Sequence, residues 1–116
     1  MILQGFSPRQ IQAISGSVSA SLTATGTTQG TALALVDGIN YVGTVTSGTG
    51  VRLMSDGFPG DGIVIYNAGV NPLKVYPQTG GQINGLPANT GFTLNLKTVV
   101  ECKCYSATQW LAVLSA

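Results

Sequence analysis

Val100-Glu101-Cys102-Lys103-Cys104-Tyr105-Ser106-Ala107-Thr108-Gln109-Trp110-Leu111-Ala112-Val113-Leu114 decides the fold class. Val100, Cys102 and Cys104 alternate with Glu101, Lys103 and Tyr105, so a strand places the first three on one face and the others opposite. Residues 106–109 turn the chain. Trp110, Ala112 and Leu114 then oppose Leu111 and Val113, so the returning strand is apolar on both faces and reads as central or intersubunit.

The same period runs upstream. Phe92, Leu94 and Leu96 alternate with Thr93 and Asn95. Gly62-Ile63-Val64-Ile65-Tyr66-Asn67 is apolar on both faces and reads as a central strand or one that meets a partner chain. Residues 72–76 return as an edge-type strand, because Pro72 cannot donate to a ladder. Residues 77–89 form a polar, glycine-rich loop containing Asn84-Gly85, with room for a small hairpin around Ile83. Ser17-Val18-Ser19-Ala20-Ser21-Leu22-Thr23-Ala24-Thr25 alternates strictly, which predicts Val18, Ala20, Leu22 and Ala24 on one face and hydroxyls on the other. Further strands are expected over 31–36, 40–46 and 50–54, the first closed by the hairpin-type pair Asp37-Gly38. Glycine (16 residues) recurs at the breaks between short apolar runs. Eight or nine short strands joined by tight turns predict an all-β fold, a small antiparallel sandwich or barrel of jelly-roll type.

Residues 1–16 stand apart as an N-terminal arm, and residues 17–116 form a single β domain. A short helix fits residues 8–15, with Ser7 as cap, Pro8 at the first helical position and Gly16 as its end; an extended arm fits equally. The start lacks a basic stretch followed by an apolar core, so it does not read as a signal peptide. No stretch approaches the ~18 apolar residues of a membrane helix.

The charge inventory is sparse: Asp37, Asp56, Asp61 and Glu101 against Arg9, Arg52, Lys74, Lys97 and Lys103, with no His. Charged residues are 8% of the chain, against roughly 25% in ordinary soluble domains. The basic residues are scattered, which argues against nucleic-acid or anionic-membrane binding. Hydrophobic residues make up 44% and mean hydropathy is +0.32, so the chain is expected to hide surface against other chains.

Catalysis needs a proton carrier, a nucleophile with its base, or a metal cage. Ser15-Gly16-Ser17 is not a nucleophile elbow. No glycine stretch ends in Gly-Lys-Ser or Gly-Lys-Thr. Asp56 and Asp61 lack EF-hand spacing and read as turn formers. Cys102 and Cys104, two apart on one strand face, cannot pair without strain and cannot close a zinc site alone. They read as small buried apolar residues of a protein made in a reducing compartment. Tyr66, Tyr76 and Trp110 offer a sugar platform, although a lone Trp on an apolar strand is more often core. The expectation is a non-enzyme without cofactor or metal.

Asn67-Ala68-Gly69-Val70-Asn71-Pro72-Leu73-Lys74-Val75-Tyr76-Pro77, followed by Gly80-Gly81-Gln82-Ile83-Asn84-Gly85-Leu86 and closed by Cys104-Tyr105-Ser106-Ala107-Thr108-Gln109-Trp110-Leu111-Ala112-Val113, resembles small virion proteins encoded by tailed bacteriophages. The resemblance spans about residues 62–113, and its members include capsid decoration (cement) proteins and head-fibre pieces. It implies a virion protein without catalytic residues to carry over. Residues 1–61 fall outside it.

The leading expectation is a capsid decoration protein on the outer capsid surface, made in the host cytoplasm, a homotrimer whose partner is the major capsid protein. A host-surface or glycan-binding fibre module and a tail or neck connector are the alternatives. Apolar residues outside the clear strand pattern need a partner. Ile2, Leu3, Phe6, Ile11 and Ile14 of the arm, with Phe58 and Ile83 in the loops, are the expected interface.

Overall fold

The computed structural model describes residues 17–36, 38–55 and 59–115. Among the described residues ten strands form two sheets: β1 (Ser17–Thr23), β2 (Leu33–Ala34), β3 (Gly38–Thr44), β4 (Gly50–Arg52), β5 (Gly62–Asn67), β6 (Leu73–Tyr76), β7 (Gln82–Ile83), β8 (Phe92–Leu94), β9 (Val99–Ser106) and β10 (Gln109–Leu114). The six-stranded sheet runs β1-β3-β5-β9-β10-β7, and the four-stranded sheet runs β2-β4-β6-β8. Among the described residues the only helical element is one 3-10 turn, Gln29–Thr31.

The chain is all-β, but its first half is not antiparallel. β1 pairs in parallel with β3, and β3 with β5. β2 likewise pairs in parallel with β4, and β4 with β6. Each successive turn of chain therefore adds one strand to each sheet, as in a short β-solenoid. Apart from an isolated antiparallel bridge between Thr25 and Gly50, antiparallel pairing among the described strands enters with the last third, where β8 joins β6, β9 joins β5, and β10 joins β9. This replaces the expected jelly-roll sandwich. Alternation within a strand reports which face is buried, and it carries no information on the direction of a neighbour.

Stacking equivalent residues from successive turns builds the core. Val42, Ile63, Ile65, Val100, Cys102, Cys104 and Trp110 point inward from the large sheet, and Val51, Leu73, Val75 and Leu94 from the small one. Fully burying side chains of this size stabilises by roughly 1.5–3 kcal/mol each. β6 lies between β4 and β8, in the middle of its sheet rather than at an edge. Pro72 causes no conflict there, since the strand begins one residue later.

Two expectations of face and turn also change. In β1 the residues Ser19 and Leu22 face Asn40 and Val42, so β1 holds one residue more than β3 across this interval. The bulge centres on Ser21, whose φ is 61°. An extra residue reverses the phase of alternation. Val18 and Ala20 therefore face outward, while Leu22 packs on the core and Ala24 is buried. Gly38 opens β3 with φ 96°, and β3 pairs in parallel with β1, so no hairpin forms at this point.

Candidate functional site: the outer faces of the two sheets

Residues of the 67–86 stretch build scaffold. Asn67 is fully buried. Its Nδ2 donates to the carbonyls of Asn71 (2.9 Å) and Leu94 (3.0 Å), and its Oδ1 accepts from Gly69 N–H (3.0 Å). Asn71 in turn donates to the Val45 carbonyl at 2.9 Å. These bonds join three loops at one end of the coil. Asn84 and Gly85 have φ of 52° and 75°, and Leu86 N–H reaches the Ile83 carbonyl at 3.0 Å. This is the two-residue turn that Asn-Gly favours. No hairpin follows, because β7 pairs in parallel with β10. The Asn84 amide instead bonds both backbone groups of Ala112, accepting from its N–H (2.8 Å) and donating to its carbonyl (3.1 Å). It thereby extends the ladder along the far edge of β10.

Trp110 is core, packed among the apolar residues of both sheets. Its indole N–H donates to Gln78 Oε1 at 2.9 Å, and Gln78 Nε2 donates to the Ala107 carbonyl at 3.1 Å. Cys102 and Cys104 are buried free thiols on β9. Burial, and then the nearby Glu101 carboxylate, pushes the Cys102 thiol up to about 12. Cys104 is raised by burial and then by Asp61, with a smaller opposing contribution from the Ser106 backbone, and its thiol donates to the Ser106 carbonyl at 2.9 Å. Both stay neutral and unreactive near neutral pH.

Of the expected interface residues, Ile2, Leu3, Phe6, Ile11, Ile14 and Phe58 lie outside the described residues, as do the candidate helix over 8–15 and Asp56. Ile83 is described and fully buried in the chain's own core. It is spent on folding, because β7 turns it inward beside Trp110, and the exposed residues are those of the loop that follows.

The structure instead gathers apolar residues on the outer face of the six-stranded sheet. Register aligns Val18, Ile39, Val64, Glu101 and Val113 in one row across five strands. A second row contains Tyr41, Tyr66 and Val99, with the two tyrosine rings 5.5 Å apart. Val18, Ile39, Tyr41, Leu111 and Val113 are 56, 49, 45, 50 and 69% exposed. Sequence alternation marks Leu111 and Val113. It misses Val18, whose face depends on the Ser21 bulge.

Charge gathers at one end of this face, where Asp61, Glu101 and Lys103 line a depression of about 380 Å³ with Ile39 and Val64. The outer face of the four-stranded sheet is different. It carries a groove of about 230 Å³ lined by Ser47, Thr49, Pro72, Lys74, Tyr76 and Thr93. Of the three aromatic residues considered for sugar binding, Trp110 is core, Tyr66 lies on the large sheet, and Tyr76 lines this groove.

No family model matches the chain, and no characterised protein matches it with significance.

Proposed function

We propose that this chain is a structural virion protein of a tailed bacteriophage, a capsid decoration protein that self-associates and clamps neighbouring copies of the major capsid protein. One observation carries the reading. The outer face of the six-stranded sheet presents Val18, Ile39, Tyr41, Leu111 and Val113 in aligned rows, with only Glu101 and Lys103 as charges among its strand residues. Six strands about 4.8 Å apart give a face about 24 Å wide, and covering it from both sides approaches the ~1,000 Å² of a specific interface. Exposed apolar patches of that extent mark association surfaces.

The mechanism is mechanical. A stacked coil with a continuous core is stiff along its stacking axis, because each turn is bonded to the next through backbone ladders. Apolar contact on one face then holds subunits that genome pressure pulls apart. A homotrimer at a junction between capsomers fits this role, with the protein made in the host cytoplasm and resident on the outer capsid surface. Buried free thiols suit synthesis in a reducing compartment.

Mixing the purified protein with undecorated capsids and pelleting them tests the reading. Saturable co-pelleting and a higher capsid melting temperature are expected. No binding overturns it. Rings of six or twelve copies would favour a tail or neck connector instead.

A further inference from the structure

The groove on the four-stranded sheet lies on the side of the molecule opposite the apolar face, and its chemistry is of another kind. Tyr76 is its aromatic wall. The ring lies across the sheet between Gly50 and Gly91: a Cβ at Gly50 would come 2.9 Å from one ring carbon, and a Cβ at Gly91 2.9 Å from another. Neither glycine has a positive φ, so neither is needed for a left-handed backbone. Their missing side chains let β4, β6 and β8 approach and let the ring lie down over the strands. The Tyr76 hydroxyl donates to the carbonyl of Thr27, 3.4 Å off, which is not among the groove's lining residues. An aromatic ring is thus held in one orientation without any ligand.

Polar groups surround the ring. Register places Gly50, Lys74 and Thr93 in one row on the outer face. Ser47 and Thr49 come from the turn before β4, which the Thr49 hydroxyl braces by donating to the Thr46 carbonyl at 2.6 Å. Arg52 lies in the row beside Tyr76 and donates to the Gln29 carbonyl at 3.1 Å. Among the described residues the outer face of the four-stranded sheet carries Arg52 and Lys74 and no carboxylate, while Asp61 and Glu101 lie at the six-stranded sheet. The Lys74 ammonium has no ion-pair partner among the described residues.

We infer that this groove binds an acidic sugar residue, a pyranose bearing a carboxylate, within a surface glycan. The apolar C–H face of a pyranose stacks on an aromatic ring such as that of Tyr76. The Ser47, Thr49 and Thr93 hydroxyls match its hydroxyls, and Lys74 supplies a charge-assisted bond to the carboxylate. The volume of about 230 Å³ is below the ~300–1,000 Å³ of drug-sized pockets and suits one ring. The site goes beyond the decoration reading: it would give a capsid-bound protein a second, outward-facing contact.

The test is a titration of the full-length protein with a tetramer of galacturonic acid, followed by amide and side-chain NMR shifts. Maltotetraose and inorganic phosphate serve as separate probes. The expected result is saturable shifts at Lys74, Tyr76 and Thr93 with the uronate tetramer, and affinity about tenfold weaker in Lys74→Gln, the loss of one charge-assisted bond. An unchanged amide spectrum of free Lys74→Gln certifies its fold. Equal affinity for maltotetraose shows that Lys74 does not select and overturns the inference. Equal affinity for phosphate reduces the groove to an anion site and also overturns it. A uronate tetramer that moves none of these signals overturns it as well. Capsid binding is a separate measurement, so failure here leaves the decoration reading standing.

Discussion

The indole N–H of Trp110 and the side-chain oxygen of Gln78 meet at 2.9 Å inside the core. The sole Trp therefore sits at an apolar position with its one polar atom satisfied, and Gln78 links it to the turn at Ala107. Gln78→Leu keeps the volume and removes the acceptor, leaving a buried donor unpaired. We expect a loss of about 1–3 kcal/mol in unfolding free energy. Urea denaturation should show a lower midpoint at unchanged slope. An unchanged midpoint would mean that water or another group satisfies the indole.

Asn67 is expected to be the most costly polar residue to replace. Asn67→Ala strips partners from the Asn71 and Leu94 carbonyls and from the Gly69 N–H at once. The predicted loss is about 3 kcal/mol or more, from several buried groups left unsatisfied. Asn67→Asp should be no better, since it sets an acceptor against two carbonyl oxygens. Thermal melts of both variants check this.

Most of the last third is legible from sequence because the alternation of β9 and β10 persists past the register shift beside their turn, although Leu96 lies beyond the end of β8 and is exposed, as is Leu114. Val100, Cys102, Cys104 and Trp110 are buried, and Glu101, Lys103, Tyr105, Leu111 and Val113 are exposed. In β1 the pattern misleads before Ser21, because a bulge leaves no mark in an alternating Ser-Ala-Ser run. Parallel pairing is hidden for a different reason: Ile39 meets Val18 and Val64 through long connections, and local pattern does not encode such contacts. Asp37-Gly38 carries a genuine turn signal but does not say which strands it joins. Ile83 reads as a loop residue because its strand has only two members. The apolar outer face is only half visible, since it depends on register across five strands. Tyr76 stands out as an aromatic residue, while the two glycines that seat it become meaningful only with the strands side by side.

The thiols give a pH dependence with a definite sign. In the folded chain Cys102 is raised to about 12 from an ordinary value of 9.0, and Cys104 is raised as well. Their contribution to stability is fully present below 9.0. Above it the unfolded chain loses its thiol protons first, so stability falls with rising pH and the contribution is gone near about 12. Denaturation midpoints should be level from about pH 7 to 8 and decline above about 9. In Cys102→Ser/Cys104→Ser that alkaline decline should shrink, after an initial loss on the order of 1 kcal/mol per site. At about pH 8 the native protein should resist alkylation. Rapid labelling would contradict the buried placement.

The apolar outer face of the six-stranded sheet predicts self-association. Light scattering at micromolar concentration should give three copies of the 11.9 kDa chain. Val113 is 69% exposed and faces Glu101 across the ladder, so Val113→Lys is tolerated by the single chain, with an effect within about 0.5 kcal/mol. It should nevertheless shift the mass toward one copy, because it buries a charge in the interface. A wild-type monomer would contradict association through this face.

Co-sedimentation with capsids stripped of accessory proteins tests the decoration reading without intermediaries. Wild-type protein and Val113→Lys are compared at equal concentration. Saturable binding of the wild type and a higher temperature of capsid disruption are expected, with loss of both effects in Val113→Lys. Wild-type protein that remains entirely in the supernatant, with capsid heat resistance unchanged, would contradict the decoration role.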